Sequence, residues 1–337
     1  GTFMECEQLT DVEVHERLRR IDKDAFLECT SLTGFNFKPL STIGPLAFAN
    51  CTSLGDIQFG DRLESIERGA FANCTSIRRI KIPTVTTIEC SVFSRCRNLT
   101  DVEIGKGLTA IGDNAFDGCT ALRRIKLASA QRIGHSAFLN CEHLTEFDAP
   151  LDLREIENFA FCGCTRLVRV SITLNAGMFG QYCCAFSRCE RLAQVELVGD
   201  IHETISLLAL KEWQHAMNEA IDGINLLISD AKDKTIAIRD WLISVQDEID
   251  RYKFQHNKLL KESLSLIELF LWKIKLDELE KSMLESPTKK AKIDKQCDRK
   301  ETKTIFCQDT RAQGRLDCNA TAIIGNVLPF LYKFKDV

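Results

Sequence analysis

The sequence predicts an α/β repeat protein, in which a solenoid with a parallel sheet is followed by an α-helical carboxy-terminal region. The first observation behind this prediction is a repeat that stops after Val198, where long helix-favouring stretches begin. The second is its regular spacing, since successive cysteines of the motif Phe-x-x-Cys follow one another in steps of 23, 22, 23, 22, 23, 22, 23 and 25. In this register the motif occurs nine times, at Cys6, Cys29, Cys51, Cys74, Cys96, Cys119, Cys141, Cys164 and Cys189.

Each repeat combines a short strand with a tight turn. The unit is L-x-x-I-x-I, then L-x-x-I, then A-F-x-x-C, as in residues 54–74. Its first part alternates apolar and polar residues, which is typical of a half-buried strand, and its last part suits a single tight helical turn. Because one unit cannot bury its apolar side alone, we expect neighbouring units to stack around one continuous core.

These repeats resemble a known family. The segments "AFANCTSI", "IGDNAFDGCTALRRIKL" and "IGHSAFLNCEHL" are similar to the BspA-like class of leucine-rich repeats, over roughly residues 3–198. The resemblance implies a curved, non-enzymatic scaffold used for adhesion or protein recognition. We therefore expect a leucine-rich-repeat solenoid over 1–199, a helical hairpin or small bundle over 200–285, a basic disordered linker over 286–303 and an apolar tail over 304–337.

The repeated cysteines are predicted to form a ladder in the core, because equivalent positions of stacked repeats lie side by side. A free cysteine there behaves as a small apolar residue. The ladder comprises Cys29, Cys51, Cys74, Cys96, Cys119, Cys141, Cys164 and Cys189. A zinc site is the alternative, since Cys162, Cys164, Cys183 and Cys184 are close in sequence, but neither Cys-x-Cys nor Cys-Cys has the usual zinc spacing.

Outward-facing strand positions carry charges whose sign alternates from repeat to repeat. The residue two after the strand leucine or isoleucine is Asp56, Arg79, Asp101, Arg124, Glu146 and Arg169, and two positions later the series is Lys81, Glu103, Lys126 and Asp148. This pattern favours a ladder of ion pairs between strands. A basic patch that binds phosphates is the alternative, but acidic strands interrupt it.

The helical region has three apolar stripes that advance in steps of three and four. They are Leu210, Trp213, Met217, Ala220, Ile224 and Leu227; Ile238, Trp241, Val245, Ile249 and Tyr252; and Leu260, Leu264, Ile267, Leu271 and Ile274. Asp200 with Glu203 could cap the first helix, and the second and third could be one helix. We expect these helices to cover the open end of the solenoid, and self-association through a coiled coil is the alternative.

The candidate partner-binding residues lie where the repeat becomes irregular. The segment "TLNAGMFGQYCC" replaces the usual L-x-x-I linker and contains Met178, Phe179 and Tyr182 close to two glycines. Apolar residues in a flexible connection must either pack against the protein, here on the first helix, or bind a partner. The sequence predicts one of these two roles for the three residues.

Composition and motifs favour a binding protein. The chain has 44 basic and 48 acidic residues and a net charge of −4, which argues against nucleic acid as a partner. We recognise no catalytic motif and expect no enzyme activity, metal or cofactor. Its function is predicted to be a protein-interaction scaffold, intracellular and cytoplasmic rather than nuclear. Because the chain opens at Gly1, we interpret it as lacking its natural start, and a secreted or cell-surface adhesin is the alternative.

Overall fold

The computed structural model describes residues 1–180 and 182–284. The chain separates into two compact units, Gly1–Asp250 and Arg251–Val337. The predicted linker over 286–303 and tail over 304–337 lie outside the described residues. Within the described part of the chain, no helix is both long enough and apolar enough to span a bilayer.

The first unit is a solenoid in which most repeats contribute two short strands, and all strand pairs are parallel. The strands in chain order are β1 (Asp11–Val12), β2 (Arg20–Ile21), β3 (Gly34–Phe35), β4 (Thr42–Ile43), β5 (Ile57–Gln58), β6 (Ser65–Ile66), β7 (Arg79–Ile82), β8 (Thr87–Ile88), β9 (Asp101–Ile104), β10 (Ala110–Ile111), β11 (Arg132–Ile133), β12 (Glu146–Asp148), β13 (Glu155–Ile156), β14 (Arg169–Thr173) and β15 (Gln194–Val198). The predicted parallel-sheet solenoid is thus confirmed.

The strands form two rows along the solenoid. The first row comprises the sheets β1-β3, β5-β7-β9 and β12-β14-β15, and the second comprises β2-β4-β6 and β8-β10-β11-β13. Strand β7 shows why the sequence forms them, since Ile80 and Ile82 are buried while Arg79 and Lys81 are exposed. The first row is interrupted between β9 and β12, where an isolated bridge joins Lys126 to Asp148 in place of a full strand.

The Ala-Phe-x-x-Cys turn differs from the helical turn that the sequence predicts, and that prediction was wrong. In the turn around Phe48, Leu46 and Asn50 have φ of 57° and 62°, in the left-handed region. The backbone N–H groups of Leu46, Phe48 and Asn50 donate to carbonyls of the next repeat at 3.0, 2.8 and 2.8 Å. A helical turn would use these groups internally, so the turn gains an inter-repeat hydrogen-bond ladder instead.

The core of the solenoid is an uninterrupted stack of aromatic rings. Successive rings have centroids 5.0–5.7 Å apart and interplanar angles of at most 21°. Offset stacking of this kind is favourable beyond the area that it buries. The stack comprises Phe3, Phe26, Phe48, Phe71, Phe93, Phe116, Phe138, Phe161 and Phe186.

Over the described residues after β15, the chain forms four helices: α1 (Ile201–Ser206), α2 (Lys211–Asp222), α3 (Ile224–Leu227) and α4 (Lys234–Leu284). The first predicted helix is therefore divided into shorter ones. Asp200 precedes α1, but its side chain makes no capping hydrogen bond, so the proposed capping box does not form. The second and third predicted helices are one helix of 51 residues, α4.

The helices of the first unit supply hydrogen-bond acceptors to backbone N–H groups of the last repeat, which has no following repeat to pair with. Phe186 N–H donates to Thr235 Oγ1 at 2.9 Å, in place of the carbonyl that a following turn would supply. Val195 N–H on the edge strand β15 donates to Asn225 Oδ1 at 2.8 Å. Side chains from α3 and the start of α4 thereby terminate the solenoid, as terminal caps of repeat proteins do.

Candidate protein-binding site

The ladder cysteines hydrogen-bond to the phenylalanine stack. Cys96 Sγ donates to the Phe71 carbonyl oxygen at 3.2 Å, and Cys74 N–H donates to the same oxygen at 3.3 Å. The corresponding thiol bonds of the other ladder cysteines are 3.0–3.3 Å long. The ladder thiols thus use the second acceptor position of each carbonyl and tie neighbouring repeats together.

Burial makes these thiols poor nucleophiles. All eight ladder cysteines are fully or almost fully buried. Burial raises the pKa of Cys51, Cys96 and Cys189 to about 12 and also raises that of Cys74 well above its ordinary value. A thiol must ionise to attack a substrate or bind a metal. The ladder is therefore suited to packing rather than chemistry.

The cysteines considered for zinc lie in different surroundings. Cys164 belongs to the ladder, and Cys162 and Cys183 are buried, with Cys183 Sγ 3.5 Å from the Ile156 carbonyl oxygen. Cys184 is partly exposed, and its N–H donates to Asn158 Oδ1 at 2.8 Å. Among the residues that the structure describes, no three His, Cys, Asp or Glu side chains are grouped as metal ligands.

The strand-face charges fall into two groups separated by the gap between β9 and β12. In the first group Arg79 pairs with Asp56 at 3.0 Å, and Lys81 pairs with Glu103 at 2.9 Å. Asp101 is in register with Arg79, but its carboxylate accepts a hydrogen bond from Thr100 at 3.1 Å.

The second group begins with Arg124, whose guanidinium lies 3.7 Å from Glu146. Lys126 is aligned with Asp148, although Asp148 pairs with Arg169.

Arg169 is the centre of the second group. Its guanidinium lies 3.2 Å from Glu146, 2.8 Å from Asp148 and 3.3 Å from Glu196. Partial burial opposes its charge, but the hydrogen bonds to Glu146 and Asp148 and the nearby carboxylate charges outweigh this and raise its pKa. Three carboxylates around one guanidinium leave this part of the strand face acidic, which does not suit phosphate binding.

Two of the three candidate partner-binding residues belong to the solenoid core. Met178 ends a 3₁₀ helix, Ala176–Met178, and both Met178 and Phe179 are buried. Phe179 bridges to Ile156 in parallel register, and its ring meets Phe186 edge-on at 6.0 Å. Phe179 thus occupies the linker isoleucine position one ordinary repeat step after Ile156, so the insertion of this repeat lies between Phe179 and Phe186.

Tyr182, the third candidate, is on the surface with 84% of its area exposed. It follows Phe179 by three residues, as Phe159 follows Ile156, and it therefore precedes the turn of the repeat after that of Phe159. Phe159 is 36% exposed, and its ring lies edge-on to that of His135, with centroids 5.8 Å apart. We name His135, Phe159 and Tyr182 the Tyr182 surface.

Sequence reasoning missed Phe159 and His135. In the three preceding repeats, the position of Phe159 holds Ser91, Asn114 and Ser136, so an aromatic ring there was a signal in the sequence. The φ of Phe159, 59°, is not a second signal, because Leu46, Ser91 and Asn114 have the same left-handed conformation at this position of other repeats.

Comparisons with known proteins agree on the repeat. Residues 1–123 and 86–211 match the family described as BspA type leucine rich repeat region, in six copies. A comparison with curated proteins finds no match. Among solved structures, a leucine rich cell surface protein from Faecalibacterium prausnitzii is 21% identical, with a TM-score of 0.29, and the match covers 55% of this chain and 78% of that one.

Two further structures are similar to the same extent. The T. pallidum leucine rich repeat protein is 21% identical, with a TM-score of 0.32, over 54% of this chain and 64% of that one. A leucine-rich repeat protein from Bacteroides ovatus is 19% identical, with a TM-score of 0.26, over 60% of this chain and 76% of that one.

Proposed function

Because the chain belongs to the BspA-type leucine-rich-repeat family, we propose that it is a non-enzymatic scaffold that binds another protein through the Tyr182 surface. The observation that carries this proposal is the exposure of two aromatic residues in adjacent repeats, Phe159 and Tyr182. Rigid aromatic side chains are among the residues that most often anchor protein interfaces.

The fold does not need an aromatic residue at either position. Phe159 neither enters the core nor suits its backbone conformation, which Gly69 adopts without strain at the equivalent position of an earlier repeat. Tyr182 lies within the irregular part of its repeat and is almost fully exposed. A role in binding accounts for both residues, whereas packing against His135 accounts only for part of the Phe159 side chain.

The strand face is a weaker candidate for the same role. Its basic residues Arg79, Lys81 and Arg169 already have carboxylate partners on neighbouring strands. A partner would have to replace these ion pairs, and exposed pairs of this kind contribute little binding energy of their own. We therefore place the partner on the turn row and propose no nucleic-acid ligand.

The proposal includes an intracellular location, cytoplasmic rather than nuclear. All thirteen described cysteines are free, which suits a reducing compartment. Burial would also protect the ladder thiols from oxidation outside the cell. An adhesin acting through the same surface is therefore the alternative, and fractionation of the source cell decides between them: protein recovered from the medium or cell surface would favour the adhesin.

Capture from a lysate of the source cell tests the proposed surface. Tyr182→Ser should reduce the captured partner at least tenfold and leave the melting temperature unchanged, because the side chain is on the surface. Phe179→Ser is the matched control, and it should lower the melting temperature because it empties a core position. Thr87→Ser, on the exposed face of β8, should change neither. Undiminished capture by a Phe159→Ser, Tyr182→Ser double variant would refute the proposal.

A further inference from the structure

The second compact unit contains the distal part of α4, whose apolar side chains are largely exposed. Leu264, Phe270 and Leu271 are each more than half exposed, and Ile274 is 39% exposed. A helix with this much exposed apolar surface is not stable alone in water, and such surfaces mark association sites.

Five apolar residues of this segment, some partly and some largely exposed, follow the heptad repeat of a coiled coil. Leu260, Leu264, Ile267, Leu271 and Ile274 are separated by alternating steps of four and three. This spacing assigns them to positions d, a, d, a and d of a heptad. The partner that packs against such a stripe along the whole length of the stripe is another helix with the same heptad period. A second copy of α4 is such a helix.

The residue types at these positions specify how many helices associate. Both a positions are leucine, at Leu264 and Leu271, and the following d positions are isoleucine, at Ile267 and Ile274. Leucine at a with isoleucine at d favours a parallel coiled coil of three or four helices, whereas isoleucine at a with leucine at d favours two helices. We propose that residues 260–274 of α4 assemble three or four copies of this chain into a parallel coiled coil.

The position of Phe270 also favours a coiled coil of more than two helices. It lies at position g, beside the a/d stripe, and is 53% exposed. Apolar residues at g widen the stripe beyond the narrow seam of a two-stranded coil and suit a broader bundle. If each of the six side chains at a, d and g buries roughly 100 Å², a copy buries on the order of 600 Å², close to the ~800 Å² per partner of a stable interface.

Polar residues limit the coil at both ends. The a position before Leu260 is Asn257 and the a position after Ile274 is Glu278. A polar residue at a fixes the register at some cost in stability. The competing occupant is the chain's own apolar segment over 316–334, but its sequence contains Gly325 and Pro329, residue types that disfavour a matching helix.

Sedimentation equilibrium of the full chain tests the assembly. The wild-type protein should have three or four times the 38.1 kDa mass of one chain. Exchanging the types, as Leu264→Ile, Ile267→Leu, Leu271→Ile and Ile274→Leu together, preserves the apolar volume and should reduce the assembly to two copies. A wild-type mass of one or two chains at every concentration would overturn the proposal, as would a mass that the exchange does not change.

Two single variants separate this interface from other causes of association. Leu271→Lys places a charge at position a and should give a single-chain mass. Leu276→Lys is the matched control at the outer f position, where the side chain is 53% exposed, and it should retain the wild-type mass. Circular dichroism shows whether each variant keeps its helix. If Leu271→Lys keeps the wild-type mass, or if Leu276→Lys lowers the mass as much as Leu271→Lys does, the chains associate through another surface, such as the 316–334 segment. Either result would overturn the proposal.

Discussion

Raising the pH should unfold this protein abruptly, because its core contains a ladder of thiols that can ionise only after unfolding. Burial is the largest cause of the raised pKa of Cys51, Cys96 and Cys189, which reaches about 12 against an ordinary value of 9.0. A thiol whose pKa is higher in the folded state favours folding below pH 9. That contribution is lost as the pH rises through 9 towards 12, where the unfolded chain alone releases the proton.

The loss can be worked out for each cysteine. At pH 10, an unfolded thiol of pKa 9.0 gains on the order of 1 kcal/mol by ionising, while a buried thiol of pKa about 12 gains almost nothing. Seven ladder cysteines lose their stabilisation together, namely Cys51, Cys74, Cys96, Cys119, Cys141, Cys164 and Cys189. Their sum is on the order of 10 kcal/mol at pH 10, similar to the ~5–15 kcal/mol total stability of a domain.

Urea unfolding between pH 7 and 10.5, followed by circular dichroism, measures the effect. The free energy of unfolding should be nearly constant to pH 8 and approach zero near pH 10, and the thiolate absorbance of the ladder cysteines should rise only as the fold is lost. A double variant, Cys96→Ala with Cys141→Ala, should be less stable at pH 7 but lose about 3 kcal/mol less between pH 7 and 10. Stability that is independent of pH up to 10.5, or ionisation of the ladder thiols near pH 9 in folded protein, would refute this reasoning.

Three further predictions concern single contacts. Arg169→Gln should lower the free energy of unfolding by about 1–2 kcal/mol, since it removes three ion pairs, while Arg124→Gln should lower it by under ~0.5 kcal/mol. Equal losses of stability in low-salt urea unfolding would contradict this. Arg95→Gly should raise the melting temperature, because Arg95 has φ of 61°, and a lower melting temperature would disprove the strain. Thr235→Val should lower the free energy of unfolding by about 1–3 kcal/mol and speed hydrogen exchange at the Phe186 amide. An amide that stays protected would show that Thr235 does not cap the last repeat.

The repeat architecture could be predicted from the sequence because its determinants are local and periodic. A phenylalanine and a cysteine at fixed spacing, recurring once in every repeat, require that their rings and thiols stack. The hydrogen bond from Cys96 to the Phe71 carbonyl could not be predicted, because its acceptor lies one repeat earlier and depends on the turn conformation. The turn itself was misjudged, although the sequence held a signal: the residue before the cysteine is Asn or Gly in five repeats, a choice that favours the left-handed conformation seen at Asn50.

The candidate site was predicted only in part, for a reason that lies in how the repeat was measured. Steps counted between cysteines place the irregularity somewhere between Cys164 and Cys189. Counting instead from Ile156 gives an ordinary repeat step to Phe179, which would have assigned Phe179 to the core and Tyr182 to the surface. The interruption of the first strand row depends on contacts among several repeats, and no single position of the sequence indicates it.

Site-specific photo-cross-linking tests the central claim, that a protein partner binds at the Tyr182 surface, most directly. A photoreactive amino acid is placed at position 182, at Arg78 on the strand face or at Thr87 on β8, all of them exposed, and each protein is irradiated in a lysate of the source cell. We predict a discrete cross-linked protein from position 182 that the Phe159→Ser change abolishes, and no such product from the other two positions. The same product from position 78 or 87, with none from position 182, would contradict the account.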